Sequence, residues 1–342
     1  MRGEPGGSQQ AHRGPDVYAR LSLVGNSPAF RQALQVIDRI AAVDATVLIR
    51  GETGTGKELA ARAVHYLSRR RDSPFIPVNC GALPDSLLES ELFGHVRGAF
   101  TDAKQQNPGL VAEAQGGTLF LDEVEAMTPR AQVVLLRFLQ DHKYRPVGGR
   151  LLASANVRVI VSTNVDLEDL VVQNKFRRDV LFRLSILSVT MPALRDREDD
   201  VLLLAEYFLH RFAAEYGRPV KRLHADTISL LLAHRWPGNV RELENMILRE
   251  LLLADGDVIK IDPHCRLASQ PIAIGRLNGQ SFKSAKARAI ADFERSYLSH
   301  LLTKTGGNVS LAARISGKDR GSLNKLIKKH GLTSEHFRPS SD

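Results

Sequence analysis

The chain has 342 residues, 43% of them hydrophobic, and a formal charge of +9, enough for two or three domains with cores of their own. No apolar run approaches the roughly 20 residues a membrane helix needs, and the polar start Met1 to Pro15 lacks a signal-peptide core, so a protein without membrane spans, in the cytoplasm, is expected. Cys80 and Cys265 stand far apart and outside any metal-ligand spacing, which argues against a disulfide framework or a structural zinc.

In chain order, residues 1–20 are rich in Gly, Pro, Ser and Gln without periodicity and are expected as a disordered tail. Phe30, Leu34, Ile37, Ile40 and Ala41 recur at helical spacing after the Ser27-Pro28 start signal. The apolar run Thr46-Val47-Leu48-Ile49 then leads into Gly51-Glu52-Thr53-Gly54-Thr55-Gly56-Lys57, a strand, a phosphate loop and a helix start. Its glycines let successive N–H groups point at phosphate oxygens, and the Lys57 ammonium adds a charge for the β- and γ-phosphates. The next residue is Glu58, where the general pattern has the Ser or Thr hydroxyl that assists magnesium. The loop's helix ends near Arg69 to Pro74, and Phe75 to Asn79 reads as a strand.

The next apolar strand, Thr118 to Leu121, delivers Asp122 and Glu123 to its end. Two carboxylates beside a phosphate loop suit phosphoryl transfer, one orienting the magnesium shell and one polarising the attacking water. A helix follows over Pro129 to Asp141, then a strand over Asn156 to Ser162 that presents Thr163 and Asn164 at the same edge. This alternation predicts an α/β parallel sheet with the ligand at the carboxyl ends of its strands. After Met191-Pro192 helical patterns take over, Val201 to Tyr216, Asp226 to His234 and Asn239 to Ala254, so a smaller all-helical domain is expected.

Gln270 to Gln280 reads as a linker, and a long helix is expected from about Ser284 to Lys304. Eleven Lys or Arg against three acids fall between Ser281 and Gly331, so nearly all the excess charge is at this end, a nucleic-acid footprint. Short helices Val309 to Ile315 and Arg320 to His330, joined by Ser316-Gly317-Lys318-Asp319, form a helix-turn-helix pattern. Leu323, Leu326 and Ile327 would face inward, leaving Lys318, Arg320, Ser322, Asn324, Lys325, Lys328 and Lys329 for DNA.

With these pieces placed, the chain resembles the bacterial enhancer-binding proteins, AAA+ activators of sigma-54 RNA polymerase, from about Leu23 to Leu332. The resemblance rests on Gly51 to Glu58, where Glu58 is the usual family residue, and on Glu91-Leu92-Phe93-Gly94-His95, Gly117 to Glu123, Phe176-Arg177-Arg178-Asp179, Phe182-Arg183-Leu184 and Trp236-Pro237-Gly238-Asn239-Val240-Arg241-Glu242-Leu243. It implies an AAA+ α/β subdomain over 21–195, a helical lid over 196–265, a linker over 266–283, a Fis-type helix-turn-helix domain over 284–333 and a tail over 334–342. The cofactors implied are ATP and Mg2+. By resemblance Lys57 and the loop amides hold phosphates, Asp122 serves magnesium and Glu123 the water, and Asn79 holds the Glu123 carboxylate as a switch. Thr163 and Asn164 match the first sensor and Arg241 the second. Arg177 and Arg183 resemble arginine fingers given to a neighbouring subunit, which implies a hexamer, with a dimer at rest as a further state.

Phe100 and Thr101 match the residues that touch sigma-54, but the family's Gly-Ala-Phe-Thr-Gly-Ala reads Gly98-Ala99-Phe100-Thr101-Asp102-Ala103 here. Asp102 in place of Gly removes backbone freedom and adds charge at the loop tip. No receiver or sensor domain precedes the ATPase in this sequence, as in the phage-shock and Hrp-type activators that a partner protein controls in trans; a fragment of a longer chain would read the same. The expected function is an activator that binds an upstream enhancer and hydrolyses ATP to remodel the closed promoter complex. Two alternatives stay open: an AAA+ DNA-binding regulator that acts without sigma-54 because of Asp102, and a general AAA+ remodelling machine.

Overall fold

Five parallel strands carry the site. β1 (Val47–Arg50), β2 (Phe75–Asn79), β3 (Thr118–Asp122), β6 (Arg158–Thr163) and β7 (Leu187–Thr190) lie in the order β2-β3-β6-β1-β7. The central strands are buried on both faces, as their near-continuous Val, Ile and Leu content requires. The computed structural model describes residues 13–82, 85–100, 103, 105–254, 256–261, 298, 301–302, 305, 308–316 and 319–329. The chain divides into two units, 1–259 and 260–342.

In the first unit, α1 (Arg13–Arg20), α2 (Pro28–Ala41) and α3 (Lys57–Tyr66) accompany β1. One core layer joins Phe30, Ile37 and Val64 to Ile49, Phe120 and Ile160. A second layer holds α4 (Asp85–Phe93), α5 (Leu110–Glu113), α6 (Pro129–Asp141), α7 (Leu167–Val172) and α8 (Arg178–Leu184), with Leu92, Phe138, Leu119, Leu121 and Leu184 at its centre. The two layers cover opposite sheet faces, the doubly wound plan that places a ligand beyond the strands' carboxyl ends. α6 matches its expected bounds because Thr128 caps it, Oγ1 accepting from the Ala131 amide at 3.4 Å, with Pro129 in the first turn.

Two expectations are corrected, and one further strand is found. Arg13–Arg20, expected within a disordered tail, is helical: Tyr18 is buried and its hydroxyl donates to Leu34 O at 3.1 Å and Asp38 Oδ1 at 2.8 Å, a single aromatic anchor within polar composition. β7 was not foreseen, because Leu187-Ser188-Val189-Thr190 alternates over only four residues. The region after Met191 is not purely helical. Besides α9 (Asp200–Glu215), α10 (Ala225–Ala233) and α11 (Asn239–Leu253), it contains the two-residue parallel pair β8 (Arg222–Leu223) and β9 (Val258–Ile259), a pairing set by tertiary contact. A hairpin of β4 (Lys143–Tyr144) and β5 (Ala153–Ser154) completes the unit.

The second unit is built on α12 (Val309–Ser316) and α13 (Arg320–Lys329). Leu298, Leu301, Leu302, Ala312, Ala313, Leu323 and Ile327 form its core, with Leu326 packed against it, so the expected inward face is found. Asn308 Oδ1 caps α12 by accepting from the Ser310 and Leu311 amides, and Asp319 Oδ1 caps α13 by accepting from Ser322 N at 2.8 Å. The linker 266–283, the segment 334–342 and nearly all of the expected helix Ser284 to Lys304 lie outside the described residues.

Candidate functional site

The phosphate loop leaves β1 in conformations only glycine adopts easily: Gly54 has φ +79° and Gly56 φ +91°. Its carbonyls are tied back. Lys57 Nζ donates to Gly51 O at 2.8 Å and Glu52 O at 3.2 Å, and Thr55 Oγ1 donates to Glu52 O at 2.8 Å. A cavity of about 360 Å³ opens against it, lined by Thr53 to Leu59, Asn79, Asp122, Glu123 and Arg241, with apolar side chains of Leu23, Val24, Phe30 and Leu204 alongside polar Ser22, Arg197 and Glu244. A Cβ on Gly56 would meet no protein atom within 4 Å, so within the protein it is φ, not packing, that favours glycine there. Glu58 lines the cavity yet pairs with Arg62 one turn on, at 2.8 Å.

Sheet register assembles the acidic side. Asn79 pairs with Asp122 across β2 and β3, and Ser162 Oγ, on β6, donates to Asp122 Oδ1. Glu123 has φ +55°, left-handed backbone that a non-glycine residue rarely adopts. Its carboxylate lies over Gly81, where a Cβ would come 2.8 Å from Glu123 Oε2 and 3.3 Å from Asn79 Oδ1. Asn79 Oδ1 accepts from the amides of Gly81 and Ala82 at 2.8 and 3.0 Å. Burial lowers the pKa of Lys57 from its ordinary value, opposed by the charges of Asp122, Glu125 and Glu123. Burial pushes the nearby Cys80 thiol up to about 12, which makes it a poor nucleophile.

Thr163 and Asn164 reach the same edge but do not line the cavity. Thr163 is buried, its hydroxyl donating to Val165 O at 3.1 Å, and the Asn164 amide donates to Glu125 Oε1 at 3.2 Å. Glu125, not singled out from sequence, thus fixes that turn. Arg177 and Arg183 stand apart from the cavity of their own chain. Arg177 forks onto Asp179 at 3.1 and 2.8 Å, and Arg183 is exposed, donating through Nε to Leu139 O at 3.3 Å.

The loop after His95 is pinned at its base by Gly98 N donating to Ala103 O at 2.8 Å and Val96 N donating to Val147 O at 3.1 Å. Phe100 is 39% exposed, its ring 4.9 Å from that of His95. Thr101 and Asp102 lie outside the described residues. A Cβ on Gly148 would sit 2.9 Å from Ala99 Cβ, so the turn between β4 and β5 packs on the loop's base. That turn leaves Leu151 83% and Leu152 62% exposed, a second apolar tip that periodicity does not signal.

In the second unit Arg320, Ser322, Asn324, Lys325, Lys328 and Lys329 are all exposed on α13; Lys318 lies outside the described residues. The described residues contain no group of three or more His, Cys, Asp or Glu able to hold a metal. A magnesium ion here fits one carboxylate, Asp122, together with phosphate oxygens and water.

Comparison with known proteins matches residues 23–190 to the Sigma-54 interaction domain, 195–265 to the AAA+ ATPase lid domain and 289–330 to the bacterial regulatory protein, Fis family. The chain is 43% identical over 305 residues to the transcriptional regulatory protein ZraR of Salmonella typhimurium, covering 89% of this chain and 68% of that one. It is 41% identical over 332 residues to the transcriptional regulatory protein GlrR of Escherichia coli, covering 96% and 72%. The crystal structure of NtrX from Brucella abortus in complex with ATP superposes with a TM-score of 0.66 at 33% identity, covering 90% of this chain and 69% of that one.

Proposed function

The chain belongs to the sigma-54-activator family of AAA+ transcriptional regulators with a Fis-type DNA-binding domain, and from that premise we propose that it hydrolyses ATP to remodel sigma-54 RNA polymerase at promoters while bound to upstream DNA. The observation that carries this reading is the convergence of Lys57, the loop, Asn79, Asp122, Glu123 and Arg241 on one cavity.

Phosphates would lie against the loop amides and Lys57, and the side chains of Leu23 and Phe30 in the same lining offer apolar surface to a base. Asp122 would hold magnesium, which when bound neutralises phosphate charge. Glu123, held above Gly81, polarises the attacking water, and Asn79 stands beside it as the residue that sets its orientation. Thr163 and Asn164 stand at the same strand edge without lining the cavity, and would sense the phosphate end indirectly, through the turn that Glu125 holds. Arg177 and Arg183, set away from their own cavity, would reach a neighbour's γ-phosphate in a hexameric ring. Phe100, with Thr101, would press on the sigma factor, and α13 would enter the major groove, Asn324 and Lys325 towards base edges and Lys328 and Lys329 towards phosphates. A regulatory protein acting in trans is compatible with this scheme.

Ring formation is tested by mixing two inactive variants, Glu123→Ala and Arg183→Ala. Each alone should bind ATP and turn it over at no more than about a thousandth of the natural rate. Mixed, an Arg183→Ala site flanked by a Glu123→Ala neighbour recovers its finger, so activity should return; a mixture as inactive as its parts would refute the finger in trans. A second reading, a DNA-binding regulator that works without sigma-54, is favoured by Asp102 alone.

A further inference from the structure

Glu52 belongs to the phosphate loop, yet its side chain does not line the cavity. Its carboxylate turns away and takes a fork from Arg195, Nη1 to Oε2 at 2.9 Å and Nη2 to Oε1 at 2.6 Å, and a third bond from Asn239 Nδ2 at 3.1 Å. Arg195 sits in the turn Leu194–Asp196 before α9, and Asn239 is the first residue of α11. One carboxylate therefore holds both the entry to the helical region and the helix that bears Arg241.

Asn239 uses its whole amide in this joint. Besides Glu52, Nδ2 donates to Thr53 O at 3.0 Å, while Oδ1 accepts from Leu194 N at 2.8 Å. The residue is fully buried with φ +51°, a conformation that Asn tolerates and most side chains do not. Next to it, Val240 N donates to Gly54 O at 3.0 Å. Four successive loop carbonyls are thus divided between two holders: Lys57 binds those of Gly51 and Glu52, and the start of α11 binds those of Thr53 and Gly54. Lys57 is also the group expected to meet phosphate. Any shift of Lys57 pulls on a backbone whose other end is fastened to α11.

We propose that Glu52, Arg195 and Asn239 are positioning residues that transmit a movement of the phosphate loop to α11 and so set where Arg241 stands over the cavity. This rests on the nucleotide reading of the cavity. An exposed ion pair alone would do little, but a forked guanidinium sharing its carboxylate with a buried amide has a defined geometry.

Trp236, the chain's only tryptophan, reports on the joint. It is fully buried three residues before Asn239, its indole donating to Leu231 O at 3.0 Å. The test titrates the full chain with ADP and magnesium, following Trp236 emission and, by calorimetry, the dissociation constant. Two variants are compared with the natural protein. Glu52→Gln removes the charge, and Asn239→Asp keeps the backbone tolerance but turns the donor facing Thr53 O into an acceptor. The natural protein should bind ADP with a change in emission. Glu52→Gln should bind within about fivefold of it, the most a half-exposed ion pair returns, and both variants should lose the emission change. If Asn239→Asp does not fold, Glu52→Gln decides, since the Glu52 side chain is 42% exposed. A full emission change in Glu52→Gln, or ADP binding to the natural protein with no change, overturns the proposal. Absence of ADP binding to the natural protein overturns the nucleotide reading beneath it.

Discussion

Gly54 and Gly56 offer a matched pair of substitutions. Both have left-handed backbone, φ +79° and +91°, so replacing either with Ala carries a similar conformational cost of about 1–2 kcal/mol. Their surroundings differ. A Cβ on Gly56 meets nothing within 4 Å, whereas one on Gly54 falls 2.2 Å from Gly238 O and 3.1 Å from Arg241 Cβ. The first of these is backbone and must retreat by more than an ångström to reach ordinary contact. That retreat stretches the Val240 N to Gly54 O bond of 3.0 Å and loosens Asn239 from Thr53. Losing one or two such bonds with their partners left short of water adds about 1–3 kcal/mol. At roughly 2–4 °C per kcal/mol for a unit of this size, Gly54→Ala should melt several degrees below Gly56→Ala. The assay is a thermal melt followed by Trp236 emission, which reads the α11 side of the joint, without nucleotide so that loop chemistry does not enter. Equal melting temperatures for the two variants would refute the claim that the loop is packed directly on the start of α11.

Other outcomes follow from the same contacts. Tyr18→Phe removes the hydroxyl bonded to Leu34 O and Asp38 and should cost about 1 kcal/mol, read as a lower urea midpoint; no change would mean that α1 is not docked as described. The hydrogen bonds from Arg195 and Asn239 hold the Glu52 carboxyl down at about 2, well below its usual range. A carboxyl depressed in the folded state stabilises above its unfolded pKa, near 4.3, and that stabilisation is lost as pH falls towards 2. The stability gap between the natural protein and Glu52→Gln should therefore be flat from pH 7 to about 5 and close below about pH 4; a gap that closes between pH 7 and 5 contradicts the assignment. Leu323→Ala should cost about 2–5 kcal/mol, because Leu323 is fully buried in the second unit. Asn324→Ala, on the exposed face, should leave the helical signal in circular dichroism intact and weaken DNA binding. Equal loss of helix in both would mean that α13 does not present the face described.

Much of this architecture was legible where a short apolar run ends in residues that only chemistry explains. Thr46 to Ile49 before the glycine loop, and Thr118 to Leu121 before Asp122 and Glu123, announced strand, edge and site together, and the helix expected from about Pro129 to Asp141 is found there. Elements whose reason lies far away in the chain were not legible. β7 is a four-residue alternation made a strand by pairing with β1, and β8 with β9 exists only because Arg222 meets Val258. The site behaves the same way. Lys57 and the acids declare themselves by motif, but the Asn239 link to Glu52 spans 187 residues and becomes visible only once α11 is docked. Glu125 likewise looks like an ordinary surface acid until its carboxylate is seen accepting from the Asn164 amide.

The proposed coupling of ATP hydrolysis to sigma-54 polymerase can be tested directly. The most direct measurement is promoter opening in a purified system of sigma-54 polymerase, promoter with upstream site, and ATP, comparing the natural protein with Asp102→Gly. The natural protein should open the promoter only when ATP and sigma-54 are both present, and Asp102→Gly should open it equally well or better. Continued ATP hydrolysis with no opening by either protein would contradict it.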